Sequence, residues 1–194
     1  MRLREGDALI AVDVQRDFLP GGRLAVQDGH EVVPVLNDYI SRFRQEGLCV
    51  VATRDWHPRD HCSFDAQGGT WPPHCVRDSD GAAFANELEL FEDVIVISKG
   101  TSKDSDAYSG FDDTDLLAQL RQRGVKRLFV GGLATDYCVL ATVTDGLEAG
   151  FDVVLLRDAV RAVGVKPTDE AEALAAMRNA GAHSIEFAAL DDAA

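Results

Sequence analysis

Apolar runs with the length of a β-strand alternate with amphipathic helical patterns along almost the whole chain. This alternation is typical of a parallel sheet covered by helices on both faces, because parallel neighbours need a long crossover connection. We therefore predict an α/β fold, a three-layer α/β/α structure with a central six-stranded, mainly parallel sheet. The predicted strands cover residues 8–14, 49–53, 94–98, 127–131, 152–156 and 183–187, and the helices cover about 32–43, 115–123, 139–147 and 167–177.

Acidic residues outnumber basic residues by 33 to 19, which gives a formal net charge of −14. This charge repels phosphate backbones and anionic lipid headgroups, so we expect no nucleic acid and no membrane as a partner. The N-terminus passes directly into the first strand without a signal-peptide pattern. We therefore expect a cytoplasmic protein with reduced cysteines, and we expect the last four residues, Asp191-Asp-Ala-Ala, to fray.

Chemically active side chains follow four of the predicted strands at their carboxyl ends. Because the carboxyl ends of parallel strands face a common crevice, we expect these side chains to lie close together. Residues 58–93 show no clear periodicity and are predicted to form a long functional loop. The strand-end residues are, in chain order, Asp13, Asp17, Phe18, Asp55, His57, Lys99 and Cys138.

Cys138 lies where a short strand turns sharply into a helix, in the sequence Val130-Gly-Gly-Leu-Ala-Thr-Asp-Tyr-Cys138. The positive end of a helix dipole stabilises a thiolate, and a nearby Lys99 would lower the thiol pKa further. Asp13, which we expect inside the strand and partly buried, would pair with Lys99 and exchange protons. Asp136 is expected to cap the helix. The alternatives are a small buried thiol and a salt bridge that only stabilises the sheet.

A second candidate site consists of one carboxylate and two imidazoles, from Asp55, His57 and His74. This ligand set suits zinc, iron or manganese. Two prolines in Trp71-Pro-Pro-His74 restrict the backbone that carries the last ligand. His61 is a fourth candidate, either as a ligand or as a neighbour of the metal. The alternative is that the carboxylate caps a turn while the histidines only form hydrogen bonds in a polar loop.

Six motifs follow one another along nearly the whole chain. They are Asp13-Val-Gln-Arg-Asp-Phe18, Arg54-Asp-Trp-His-Pro58 with His61 and Ser63-Phe64, Trp71-Pro-Pro-His-Cys-Val76, Lys99-Gly100, Tyr108-Ser-Gly-Phe111 and Gly131-Gly-Leu-Ala-Thr-Asp-Tyr-Cys138. In this order they resemble the isochorismatase-like cysteine hydrolases and, within that family, the nicotinamidases. The resemblance implies one hydrolase domain over residues 1–194.

The resemblance also implies a catalytic triad of Asp13, Lys99 and Cys138. In that scheme Asp13 takes the thiol proton, and the sulfur attacks the amide carbonyl of nicotinamide to form a thioester. A cis peptide bond at Leu133–Ala134 is implied too, together with an oxyanion site formed by the N–H groups of Ala134 and Cys138. The implied products are nicotinate and ammonia, which belong to NAD salvage.

A cofactor and a substrate pocket follow from the same resemblance. The cofactor is one divalent metal ion, zinc first and iron or manganese as alternatives, which orients the pyridine ring. The implied substrates are nicotinamide and, as a close analogue, pyrazinamide, and a homo-oligomer is compatible with the family. The implied ligands are Asp55, His57 and His74, and the implied pocket residues are Phe18, Trp71 and Tyr108, for which ordinary packing is the alternative.

Two other functions remain open at this point. A metal-independent isochorismatase-like or carbamoyl-amide cysteine hydrolase would use the triad without the metal ligands. A non-catalytic metal- or pyridine-binding protein would use the pocket without Cys138 as a nucleophile. The carboxylate and two histidines argue against the first alternative, and an ammonia-release assay separates the second.

Overall fold

The computed structural model describes residues 1–190, and six strands in this range form one sheet. Neighbouring strands are parallel throughout, in the order β3-β2-β1-β4-β5-β6. The predicted six-stranded parallel sheet is therefore confirmed. The strands are β1 (Asp7–Val12), β2 (Cys49–Asp55), β3 (Ile95–Lys99), β4 (Arg127–Leu133), β5 (Asp152–Arg161) and β6 (His183–Ile185).

Helices cover the two faces of the sheet unequally. Helix α1 (Val32–Gln45) packs on one face, and α2 (Leu116–Gln122), α3 (Leu140–Glu148) and α4 (Asp169–Ala180) pack on the other. Successive side chains of a strand point to opposite faces, so Leu9 of β1 joins the apolar cluster under α1. The neighbouring Ile10 joins the cluster under the other three helices. The predicted three-layer α/β/α architecture is confirmed.

The strand order reverses at β1, which lies between β2 and β4. From β1 the chain adds β2 and β3 on one side and then β4, β5 and β6 on the other. Ligands of open parallel sheets bind beside such a switch point, at the carboxyl ends of the strands. The end of β4 comes very close to β1 here. A Cβ on Gly132 would lie only 2.1 Å from the carbonyl oxygen of Val12. Only glycine fits this approach, and it brings the turn that follows β4 next to the residues that follow β1.

The first strand is shorter than the sequence pattern predicts. It ends at Val12, and Asp13 has a φ of 50°, in the left-handed region that few residues other than glycine adopt. The N–H of Gln15 donates to the Asp13 carbonyl oxygen at 2.8 Å, which closes a tight turn. Asp13 therefore lies at the tip of the strand rather than inside it, where its side chain can face the crevice.

The long connection between β2 and β3 has little regular structure, as predicted. It contains one short 3-10 turn (Asp65–Gln67) and two isolated bridges, one of which pairs Phe64 with Trp71. No helix within residues 1–190 is long and apolar enough to cross a membrane. The expectation that Asp191–Ala194 fray lies outside the described residues.

Candidate active site

Lys99 joins the strand-end side chains at the centre of the site. It is the last residue of β3, and only 1% of its surface is exposed. Its Nζ lies 2.9 Å from Oδ2 of Asp13 and 2.5 Å from Oδ1 of Asp55. The same ammonium group donates to Sγ of Cys138 at 3.4 Å and to the carbonyl oxygen of Ala107 at 3.3 Å. The structure thus brings Asp13, Lys99 and Cys138 together, as the parallel sheet predicts.

The two carboxylates around Lys99 have different proton affinities. Burial raises the pKa of Asp13, and the nearby Lys99 opposes this rise only in part. Burial acts in the same direction on Asp55, but Lys99 and His57 outweigh it and hold the pKa of Asp55 well below its usual range. Neighbouring acids whose pKa values are separated in this way commonly divide their tasks. Asp13 is the better proton acceptor, whereas Asp55 remains an anion.

Cys138 lies in a π-helical turn (Thr135–Val139) that leads from β4 into α3. Only 7% of its surface is exposed. Burial raises the pKa of the Cys138 thiol well above its usual value, although Lys99 opposes this rise. The expectation of a lowered thiol pKa is therefore wrong. Complete desolvation of the sulfur outweighs one cation that two carboxylates already neutralise, so the resting form is the thiol and a base must remove its proton.

A second group of side chains fits a divalent metal ion. Ligand atoms of Asp55, His57 and His74 lie within 4.8 Å of one another, and all three residues are buried. Nδ1 of His57 donates to the Gly100 carbonyl at 2.9 Å, and Nδ1 of His74 donates to the Pro72 carbonyl at 2.8 Å. Metal-binding histidines typically donate their second N–H in this way, which leaves Nε2 for the metal. The donor set therefore fits zinc, iron or manganese.

His61, the fourth candidate ligand, uses both ring nitrogens within the protein. Nδ1 accepts hydrogen bonds from the Ser63 hydroxyl at 2.7 Å and from the Ser63 N–H at 3.3 Å. Nε2 donates to the carbonyl oxygen of Ser105 at 3.1 Å. The ring stacks on His57, with 4.1 Å between the centroids. In this arrangement His61 packs against the candidate ligand His57 and has no free nitrogen to offer a metal ion.

Two polar residues that follow β1 hold the backbone of the site, one just before a 3-10 turn (Arg16–Phe18) and one within it. Gln15 is fully buried, and its amide accepts from the N–H of Asp55 at 2.7 Å and donates to the Asp55 carbonyl at 2.8 Å. The same amide donates to the Ala82 carbonyl at 2.9 Å. Asp17 accepts the N–H of Cys75 at 2.7 Å, next to one metal-ligand candidate. Sequence reasoning did not single out Gln15, and its partners come from distant segments.

A narrow cavity lies between the Cys138 thiol and the side chains of Asp55, His57 and His74. Phe18, Trp71 and Tyr108, the three predicted pocket residues, all line it. Trp71 Nε1 donates to the Tyr108 hydroxyl at 3.0 Å. Tyr137 is a fourth aromatic wall that the sequence pattern did not indicate, and its ring meets the Trp71 ring edge-on at 5.2 Å between centroids. The cavity thus suits a flat aromatic ligand.

The turn before Cys138 contains the expected cis peptide bond. Leu133–Ala134 is cis, and Ala134 lines the cavity beside the thiol. Asp136 does not cap the helix as expected. Its carboxylate instead accepts the N–H groups of Val163 and Gly164, each at 2.9 Å, and so anchors the loop after β5 to the turn.

The fold is that of an α/β protein, and its site places a buried cysteine beside a carboxylate and a lysine. The isochorismatase domain matches residues 7–189, and the chain belongs to the isochorismatase family. Nicotinamidase from Escherichia coli (strain K12) is 39% identical over an alignment of 196 positions, gaps included, that covers 90% of this chain and 92% of that relative.

Two solved structures are also similar over nearly their full lengths. The pyrazinamidase of Pyrococcus horikoshii in complex with zinc has a TM-score of 0.90 and 50% identity, and the similarity covers 94% of this chain and 99% of that one. A protein from L. infantum in complex with nicotinate has a TM-score of 0.89 and 39% identity, with 96% of both chains covered.

Proposed function

We propose that the protein is a nicotinamidase that hydrolyses nicotinamide to nicotinate and ammonia through a thioester on Cys138. One observation carries this proposal: a single aromatic cavity has a buried thiol with its base on one side and a metal-ligand set on the other. The thiol and its base suit attack on a carboxamide, and the metal-ligand set suits the binding of a ring nitrogen. The activities of the similar proteins support the same conclusion.

The first half of the reaction forms the thioester. Asp13 accepts the proton of the Cys138 thiol as the sulfur bonds to the carboxamide carbon. The N–H groups of Ala134 and Cys138 stabilise the negative charge that develops on the carbonyl oxygen. Asp13 then returns the proton to the amide nitrogen, the C–N bond breaks and ammonia leaves. Lys99 keeps its positive charge throughout, because two carboxylates raise its pKa well above the usual value despite burial.

The second half of the reaction hydrolyses the thioester. Asp13 takes a proton from a water molecule whose oxygen attacks the thioester carbon, and the same N–H groups stabilise the second tetrahedral intermediate. The C–S bond breaks, the sulfur regains its proton from Asp13, and nicotinic acid leaves and ionises to nicotinate, with the released ammonia as acceptor of that proton. One carboxylate thus acts twice as base and twice as acid, which agrees with its raised pKa.

The pyridine ring is held by aromatic side chains and by the metal-ligand set. Phe18, Trp71 and Tyr108 provide apolar faces for the ring. Asp55, His57 and His74 would hold a divalent ion, which when bound supplies a Lewis-acidic partner for the ring nitrogen. We propose zinc, because the similar pyrazinamidase from P. horikoshii was solved with zinc. The carboxamide then faces Cys138, and this orientation is the contribution of the set to catalysis.

We also propose that residues 1–194 form one isochorismatase-like hydrolase domain that acts in NAD salvage. A cytoplasmic location and pyrazinamide as a second substrate stay predictions, as do a homo-oligomer and the absence of nucleic-acid and membrane partners. The metal-independent alternative does not account for three buried ligand side chains within 4.8 Å. The non-catalytic alternative does not account for a thiol in contact with a buried lysine.

Asp13→Asn is expected to lower kcat for nicotinamide about 10³-fold, because the thiol loses its proton acceptor. The protein should stay folded, since asparagine has the same shape as aspartate. Ammonia release and thermal unfolding measure the two effects. Asp7→Asn is a matched control, because Asp7 is also buried and ion-paired but lies at the start of β1. Substantial turnover in Asp13→Asn would show that another group is the base.

His74→Ala is expected to weaken metal binding about 100-fold or more and to raise KM for nicotinamide. The apo protein can be titrated with zinc, with metal content measured after dialysis. His30→Ala is the control, because His30 is exposed on the turn before α1. Unchanged zinc affinity in His74→Ala would remove this residue from the ligand set.

A further inference from the structure

Thr53 is a buried threonine of β2 whose hydroxyl and carbonyl oxygens both bond to Asp13. Its hydroxyl donates to Oδ1 of Asp13 at 2.6 Å and accepts from the Asp13 N–H at 3.3 Å. Its carbonyl oxygen also accepts from the same N–H at 3.2 Å. One residue on the neighbouring strand thus contacts both the backbone and the side chain of the proposed base.

These contacts control where the carboxylate points. Asp13 has a φ of 50°, and a left-handed residue at the tip of a strand needs local partners to keep it in place. Because Thr53 occupies Oδ1, rotation of the carboxylate is opposed. Oδ2 is left to face Lys99, whose Nζ is 2.9 Å away. A carboxylate oxygen of Asp13 and Sγ of Cys138 lie within 4.8 Å of each other.

The hydroxyl of Thr53 is itself held in one orientation. A β-branched side chain has few rotamers, and the Thr53 methyl group packs so closely against Gly110 that a Cβ there would lie 3.0 Å away. Valine would keep this packing without the hydroxyl. Serine would keep the hydroxyl without the packing.

We propose that Thr53 is a positioning residue for the reaction, whose hydroxyl anchors one oxygen of Asp13 and so keeps the carboxylate beside Lys99 and within reach of the Cys138 thiol. The proposal rests on the proposed role of Asp13 as the base, but not on which amide the enzyme hydrolyses. Thr53 does not line the cavity, and both hydrogen bonds of its hydroxyl are to Asp13, so its effect on the chemistry passes through Asp13.

Thr53→Val should lower kcat for nicotinamide about 100-fold, as expected for a misplaced catalytic group, while KM stays within about twofold. Thr53→Ser should restore most of kcat. Bound metal should not change, which separates the effect from disturbance of Asp55 two residues away. Thr114→Val is the matched control, because the Thr114 hydroxyl also donates one bond, to the Gly110 carbonyl at 2.6 Å, and accepts one, from the Leu116 N–H at 3.2 Å. Thr114→Val should lower the stability of the protein and leave kcat unchanged.

A double-mutant cycle tests whether Thr53 acts through Asp13. The readout is the rate at which iodoacetamide alkylates Cys138, which needs no substrate. Thr53→Val should slow alkylation in the parent protein and cause no further loss in Asp13→Asn. The proposal would be overturned if Thr53→Val slowed alkylation equally in the parent protein and in Asp13→Asn. It would also be overturned if Thr53→Val had a kcat close to that of the parent. If the parent protein does not hydrolyse nicotinamide, the proposed function fails, and the alkylation cycle still decides the role of Thr53.

Discussion

Replacing Cys138 with alanine is expected to reduce the hydrolysis of nicotinamide about 10⁶-fold, to the level of background chemistry. The effect is this large because the sulfur forms the covalent bond of the proposed thioester, and no other described residue of the cavity offers a thiol. The protein should still fold and bind metal, since Asp55, His57 and His74 remain. Ammonia release with a metal-loaded variant measures the loss, and zinc content verifies that the pocket is intact.

Cys49→Ala is the matched control for that experiment. Cys49 is also a free cysteine, but it begins β2, at the opposite end of the strand from Asp55. It should therefore retain full activity. Comparable rates in Cys138→Ala and Cys49→Ala would mean that the nucleophile is a water molecule, and the thioester mechanism would be wrong.

Lys99→Met is expected to have the largest effect on stability and to abolish turnover as well. Methionine has a similar length but no charge, so Asp13 and Asp55 would stay buried with their shared cation removed. Breaking a buried ion pair from one side typically costs about 3 to 5 kcal/mol of unfolding free energy. Urea denaturation measures this cost. Turnover should be lost even at low temperature where the variant is folded, because Cys138 also loses its neighbouring cation.

Arg127→Met provides a control that separates stability from catalysis. Arg127 pairs with Asp7 at 2.7 Å, and this carboxylate is buried as well, but the pair lies at the amino end of the sheet. The variant should lose stability and keep its kcat. If Lys99→Met behaved in the same way, Lys99 would be a structural residue and not part of the reaction.

Most of the fold follows from the sequence because hydrophobic patterning reports directly on burial. Strands such as β1 are apolar on both faces, and this pattern is specific to a sheet between two helical layers. The sequence pattern predicts the end of β1 two residues too late, because Val14 is apolar and buried although it lies in the turn. Periodicity records that a residue is buried and does not record the left-handed backbone of Asp13.

The positions of the principal site residues could be predicted, but their protonation could not. The strand-end rule for parallel sheets predicts that Asp13, Lys99 and Cys138 lie together. The pKa of Cys138 depends on how completely the sulfur is desolvated and on how many carboxylates surround Lys99. Both quantities are set by the packing of the folded chain. Together they raise the pKa of Cys138, which the helix dipole is expected to lower.

The supporting residues were the least predictable part of the site. In the sequence, Thr53 is typical of a threonine in a strand, and Gln15 is typical of a polar residue in a turn. Thr53 bonds to Asp13, 40 residues away along the chain, and Gln15 bonds to Asp55 and Ala82, which are 40 and 67 residues away. Tyr137 precedes Cys138 directly, and only the path of the π-helical turn shows that its ring closes the cavity. A single sequence contains no signal for such long-range pairs of polar groups.

Product analysis tests the central claim most directly. Purified protein loaded with zinc is mixed with nicotinamide, and nicotinate and ammonia are quantified, with Cys138→Ala measured in parallel and the parent repeated after treatment with a chelator. The account predicts equal amounts of both products from the parent protein, a large loss after metal removal and none above background from Cys138→Ala. A metal-loaded parent that binds nicotinamide without releasing ammonia would contradict it.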